Sequence, residues 1–268
     1  SCFEQRHHGQ MSRMMSKRIE HWEITGVAGL RTQRLKAIPR DLVDVGDHLR
    51  VVDAADNFIS VLPDLGTFIR LQKLILSNNR ISVIGPDVGQ LPELRVLLLG
   101  NNRIESISTL IGKLEKLEVL DLSHNKLKSL PQGLGKILTL TNLNVSNNQL
   151  HELPVRVGNC RDLAYLDATN NKLQAIPEEF CKCNLQTLLL DHNSISFLPS
   201  RLLKTCTNLQ KLTVHNNPIQ ASDIEAMSGY IEFEKRRVGK YDKLIQGGGM
   251  LQKEGFEEGV DREVAGPS

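Results

Sequence analysis

LEVLDLSHNKLKSLP, beginning at Leu117, is one copy of a pattern that recurs along most of this chain. Upstream stand LRVVDAADNFISVLP from Leu49, LQKLILSNNRISVI from Leu71 and LRVLLLGNNRIESI from Leu94. Downstream follow LTNLNVSNNQLHELP from Leu140, LAYLDATNNKLQAIP from Leu163, LQTLLLDHNSISFLP from Leu185 and LQKLTVHNNPIQ from Leu209. A degenerate copy, TGVAGLRTQRLKAIP from Thr25, precedes them all. The shared asparagine falls at Asn57, Asn79, Asn102, Asn125, Asn148, Asn171, Asn193 and Asn217, with Gln33 in the first copy, and neighbours are 22 to 24 residues apart.

Elementary chemistry turns this pattern into a fold. The L-x-L stretch alternates, so it predicts a short strand with its apolar side inward. One copy cannot bury that side alone; successive copies must stack, their strands pairing in parallel about 4.8 Å apart. The asparagine sits where the chain leaves the strand. Its amide both donates and accepts, so it should satisfy backbone groups of its own turn and of the neighbouring one. Many copies close in Leu-Pro or Ile-Pro, at Pro131, Pro154, Pro177 and Pro199. Proline lacks an N–H and disfavours helix in the residue before it, so the far side should be extended chain or short 3₁₀ turns. The template L-x-x-L-x-L-x-x-N-x-L is that of the leucine-rich repeat. The expected architecture is an α/β solenoid: an arc with a parallel concave β-sheet, a short 3₁₀ or extended convex side and a C-terminal capping helix. Its expected parts are a disordered segment over 1–15, the repeats with an N-terminal cap over 16–220, the capping helix over 221–246 and a flexible tail over 247–268.

Composition agrees with a layered core and narrows the function classes. Of 268 residues, 40% are hydrophobic but only 4% aromatic, so Leu, Ile and Val must fill the interior. A net charge of +2 offers no broad field for nucleic acid or an anionic membrane. No run of 18 apolar residues suggests a membrane span. The five cysteines form no disulfide framework, which implies a reduced, cytoplasmic protein. Cys160 and Cys206 occupy equivalent places before a repeat and read as small buried hydrophobes. Cys181 and Cys183 lack a second pair for zinc, and neither a metal nor a cofactor is expected. No phosphate loop, nucleophile elbow or metal motif points to an enzyme.

The ends need lids. Trp22, Ile24 and Val27 are the expected cover of the first turn. After Asn217, Ser222 with Glu225 reads as a helix N-cap. Ile224, Met227 and Ile231 should share the buried face of the following helix, with Tyr230, Phe233 and Tyr241 adding contacts. Lys235, Arg236 and Arg237 are interleaved with Glu232, Glu234 and Asp242 and read as a solvated face.

The residues between the buried leucines should face the concave surface. One row across successive strands reads Asp53, Ile75, Leu98, Asp121, Asn144, Asp167, Leu189, Thr213. The other reads Val51, Lys73, Val96, Val119, Asn142, Tyr165, Thr187, Lys211. Ile75, Val96, Leu98 and Val119 make an apolar patch; Asp121, Asp167 and Tyr165 make an acidic, aromatic centre. With Val51, Asn144 and Leu189 these are the expected partner-binding residues, for a protein with some Lys or Arg in the bound segment. Scattered apolar residues can also merely serve strand propensity. Asp191 should neighbour His215, with His192 nearby; such a group could orient a base, but no nucleophile lines up with it, and solvated polar surface is the plainer reading. The readings that follow are an intracellular adaptor, a regulatory subunit of a phosphatase or small-GTPase pathway, or a structural component of a large assembly.

Pieces outside the repeats carry a resemblance. The entry W-x-I-T-G-V-A-G-L-R with R-L-K-A-I-P (Trp22 to Pro39), the exit from Asn216 to Ile245 and the tail EGFEEGVD from Glu254 resemble the Ras-group-related leucine-rich-repeat proteins, including the small leucine-rich repeat-containing protein 57 type and its plant relatives. The resemblance covers the chain from about Trp22 to Val260 and implies a cytosolic or membrane-associated binding protein without catalytic residues. Such proteins often begin Met-Gly with a cysteine close by. Here the chain begins at Ser1; a glycine before it would make Cys2 a candidate second acylation site and imply peripheral membrane attachment.

Overall fold

The computed structural model describes residues 17–246, with side chains described to residue 239. Cys2, the segment 1–15, the side chain of Tyr241 and the tail over 247–268 lie outside the described residues. Two compact units are present, and their boundary in the chain falls between Asn125 and Lys126.

In the first unit, helix α1 (residues 17–25) leads into strand β1 (Val27–Gly29). Gly26, at φ +67°, ends the helix in a left-handed conformation and returns its N–H to the Trp22 carbonyl at 2.8 Å. A short helix α2 (Arg40–Asp44) and a 3₁₀ turn (Gly46–His48) precede β2 (Val51–Asp53). Then come β3 (Lys73–Ile75), β4 (Val83–Ile84), β5 (Val96–Leu98), β6 (Ser106–Ile107) and β7 (Val119–Asp121). Strands β1, β2, β3, β5 and β7 pair in parallel, each with the next. A second small parallel pair joins β4 to β6. The rest of the far side is 3₁₀, at Pro86–Gln90 and Thr109–Lys113.

In the second unit, β8 (Asn142–Asn144), β9 (Tyr165–Asp167), β10 (Thr187–Leu189) and β11 (Lys211–Thr213) pair in parallel. Between them lie 3₁₀ turns at Gln132–Lys136, Val155–Asn159 and Glu178–Lys182, and a helical turn α3 (Leu202–Thr205). The prolines do what their chemistry requires: Pro131, Pro154 and Pro177 are extended and stand immediately before a 3₁₀ turn. The turns pack closely. A Cβ on Gly158 would lie 2.5 Å from the Glu179 backbone, and one on Gly135 would lie 2.1 Å from the Arg156 carbonyl oxygen.

The asparagines bind the turns together. The Asn125 amide donates to the carbonyls of Leu122 and Ser123 in its own turn and of Leu99 in the turn before, at 2.9, 3.0 and 3.1 Å. Its Oδ1 accepts the Ile104 N–H at 2.9 Å. Asn57, Asn79 and Asn102 repeat this in the first unit, and Asn171, Asn193 and Asn217 in the second. Gln33 does not act in this way: it is exposed, its Nε2 donates to the Gly29 carbonyl of its own turn, and its Oε1 accepts from Arg18 at 3.0 Å. The residue before each ladder asparagine is left-handed, for example Asn78 at φ 58°, Asn101 at 56° and His124 at 52°. Asn, Asp and His tolerate this region best, which accounts for the N-N, D-N and H-N doublets.

The lids differ in part from expectation. Trp22 is buried at 3% exposure, with Arg18 over its ring at 5.2 Å. Ile24 and Val27, however, are exposed; the sheet register turns Ala28 inward instead, and Leu30 is buried with it. At the other end the N-cap is Gln220, in a capping box with Asp223, and Ser222 lies inside the helix. The helical stretch is also broken, into α4 (Ala221–Glu225) and α5 (Tyr230–Gln246). Gly229, at φ +90°, makes the break, and it packs where a Cβ would meet the Lys204 backbone at 2.7 Å. The break rotates the face, so Ile231 is 65% exposed and Phe233 takes the buried place. Nor is the basic triplet simply solvated: Arg236 caps the carbonyls of Leu209 and Leu203 at 3.1 and 3.2 Å, and Arg237 is held by Glu234 at 2.7 Å.

Candidate functional site: the open strand faces

The middle residue of each strand is buried, so the flanking residues share the opposite, open face. In the first unit the pairing places Val27, Val51, Lys73, Val96 and Val119 in one row and Gly29, Asp53, Ile75, Leu98 and Asp121 in the other. Ile75, Val96, Leu98 and Val119 are therefore neighbours, and all are half-buried. In the second unit the rows are Asn142, Tyr165, Thr187, Lys211 and Asn144, Asp167, Leu189, Thr213. Tyr165, Asp167 and Leu189 are half-buried there, and Asn144 stands beside Asp167. Asp121 thus belongs to the first face, and Asp167 with Tyr165 to the second.

The polar residues of these faces are tied to the backbone. Asp53, Asp121, Asn144 and Asp167 each accept, through Oδ1, the N–H two residues on, at 3.1, 2.9, 3.0 and 3.0 Å. They close the strand exits as Asx turns. That signal was present in the sequence as Asp or Asn followed, two residues later, by a small residue. Arg31 then neutralises the first turns, with Nε 3.3 Å from Asp53 and Nη1 2.9 Å from Asp56. In the second unit Asp191 receives the His215 N–H at 2.6 Å and Nδ1 at 2.9 Å. The expected neighbours do meet, as a hydrogen-bonded pair. Among the described residues no group of three His, Cys, Asp or Glu side chains is placed to hold a metal. The Thr213 hydroxyl is buried with no partner among the described residues.

Cys160, Cys183 and Cys206 are buried at 23-residue spacing; the place of Cys183 in this series was overlooked although the spacing shows it. Their Sγ atoms point to carbonyls of the preceding turn, as Cys160 does to Leu134 at 3.6 Å. Burial pushes the Cys160 and Cys206 thiols up to about 11, and burial with the neighbouring thiols pushes Cys183 up to about 12. These are neutral packing groups, not nucleophiles.

Repeats of 22 to 24 residues, parallel strands and an asparagine ladder define a leucine-rich-repeat protein. The leucine rich repeat family model matches residues 69–127, 92–150 and 138–195, and a two-copy model of the same repeats matches 183–228. The plant intracellular Ras-group-related LRR protein 7 of Oryza sativa subsp. japonica is 54% identical over 248 residues, 92% of this chain and 95% of that protein. The chain belongs to the plant intracellular Ras-group-related LRR proteins. Among solved structures, an LRR protein of Leptospira interrogans is similar at TM-score 0.66 and 26% identity over 72% of this chain and 55% of its own. The plant peptide hormone receptor RGFR1, in complex with RGF2, is similar at TM-score 0.64 and 30% identity over 72% of this chain and 32% of its own. Leucine-rich-repeat proteins generally mediate protein–protein interactions, through the extended surface their repeats create. No helix among the described residues is long and apolar enough to cross a membrane.

Proposed function

We propose that this protein is a non-enzymatic, cytoplasmic adaptor that holds a protein partner on its open strand faces. The observation that carries the reading is the half-buried aliphatic row of the first unit, Ile75, Val96, Leu98 and Val119, set flat on adjacent strands. Contiguous apolar area of this kind is what interfaces use. The second face adds Tyr165, Asp167 and Leu189, an aromatic anchor beside a carboxylate. A similar solved structure is a peptide hormone receptor in complex with RGF2, which supports a polypeptide ligand for a protein of this fold.

The test is capture from native extract with the wild type, Leu98→Asp and Tyr165→Ala, each checked for an unchanged thermal melt. A partner lost with Leu98→Asp supports the first face, and one lost with Tyr165→Ala the second. A partner kept by both variants refutes the reading. The name of the rice relative supports a second reading, a regulatory component of a small-GTPase pathway. Adding the purified protein to the captured complex would then change its rate of GTP hydrolysis or exchange; an unchanged rate rejects it.

A further inference from the structure

The acids of the first unit's strand exits are not equivalent. Arg31 is shared by Asp53 and Asp56. Among the described residues no cation pairs with Asp121 and nothing donates to its Oδ2, while its Oδ1 accepts the Ser123 N–H at 2.9 Å. It is half-buried, in register with Leu98 and two residues from Val119. A carboxylate partly withdrawn from water among aliphatic side chains, without a counter-charge, is completed by an incoming cation.

Gly100 and Ser123, both buried, adjoin the carboxylate. The equivalent positions in this unit are Ala55, Ser77 and Ser123, so the repeat does not require glycine here. Nor does the backbone, because Gly100 is not left-handed. A Cβ at Gly100 would lie 2.8 Å from Asp121 Oδ2 and 3.0 Å from Ser123 Oγ. The missing methyl therefore leaves two oxygens bordering a bare Cα.

We propose that the first strand face binds an aliphatic segment bearing a lysine, whose ammonium docks on Asp121 Oδ2 and Ser123 Oγ beside Gly100. This rests on the strand face being the binding surface. The ammonium is favoured over a guanidinium because the backbone already holds one carboxylate oxygen, and the arginine fork is matched to two. The lysine methylenes lie along Leu98 and Val119 while the head reaches the oxygens.

A phage-displayed library of random dodecapeptides, selected on the immobilised full chain, tests this. Peptides kept by the wild type should be enriched in a lysine flanked by Leu, Ile or Val. For one synthesised peptide, Asp121→Asn and the peptide's Lys→Ala should each weaken binding about tenfold or more, and together little further, as for partners in one charge pair. Gly100→Ala, whose Cβ meets only the ends of side chains, should weaken binding with an unchanged melt, and Lys→Arg should weaken it too. Selected peptides without lysine enrichment, equal binding to Asp121→Asn, or no selected peptide at all overturns the proposal. Binding that is lost with Leu98→Asp but not with Asp121→Asn rejects the lysine and keeps the face. Binding that survives Leu98→Asp rejects the face itself.

Discussion

Asparagine is the residue on which each turn depends. Asn125→Ala removes the donor to Leu99 and Leu122 and the acceptor for Ile104, all of them buried. We expect a loss of about 1–3 kcal/mol, read from a denaturant or thermal melt. The cysteines make a second prediction. Cys160, Cys183 and Cys206 should resist a thiol reagent at pH 8 until the chain unfolds, while half-exposed Cys181 reacts; peptide mapping distinguishes them. Their raised values fix the alkaline behaviour. From an ordinary value near 9, the folded thiols rise to about 11 or 12, so the unfolded chain loses these protons first. Their contribution is complete below pH 9 and is lost as pH climbs from 9 toward 12, which a series of melts at rising pH would show. The asparagine ladder was readable because its spacing barely varies. The ties on Asp53 and Asp121 were harder to read: a letter in a row says which face a carboxylate takes, not which of its oxygens the backbone already uses.

Secondary structure followed from local rules wherever the repeat imposed them, and departed where packing between segments decided. Pro131, Pro154 and Pro177 marked 3₁₀ turns as expected, whereas Pro199 precedes the helical turn α3 and Thr109–Lys113 forms without a proline. The closeness of those turns was not readable, since it depends on which backbone lies across from Gly135 and Gly158. Gly158→Ala should therefore cost about 1–3 kcal/mol by overpacking against Glu179. Gly239 in α5 is the control: a Cβ there meets nothing within 4 Å, so Gly239→Ala should stabilise by about 0.5–1 kcal/mol. Paired thermal melts give both signs in one experiment. The break between α4 and α5 escaped sequence reading for a related reason. Gly229 is demanded by the approach of Lys204, a residue 25 positions earlier, and the apolar spacing of Ile224, Met227 and Ile231 fits an unbroken helix equally well.

The repeats need their own solution at each end of the chain. The first is Trp22 under Arg18; the last is Phe233 and Arg236. Deleting residues 221–268 would leave the Leu203 and Leu209 carbonyls without Arg236 and uncover the apolar surface that Phe233 seals. Hydrogen exchange should then show lost protection in β11 and next in β10, with β8 least affected; an unchanged pattern would mean that α5 is not a lid. Which residues line the open strand faces was readable from the repeat, because strand alternation alone sorts inward from outward residues. What such a face would hold was not, because that depends on a partner's chemistry as well as on this chain's.

The backward reach of the asparagines gives the chain a direction. Asn125 completes the bend at Ile104, 21 residues before it, and Asn193 completes the bend at Leu173, 20 residues before it. On the ribosome, each bend therefore waits for residues not yet made, and a nascent chain always trails one unfinished bend at its growing end. A premature stop leaves earlier bends complete and only the last one open, whereas a start made too late leaves every remaining bend with its closing residue.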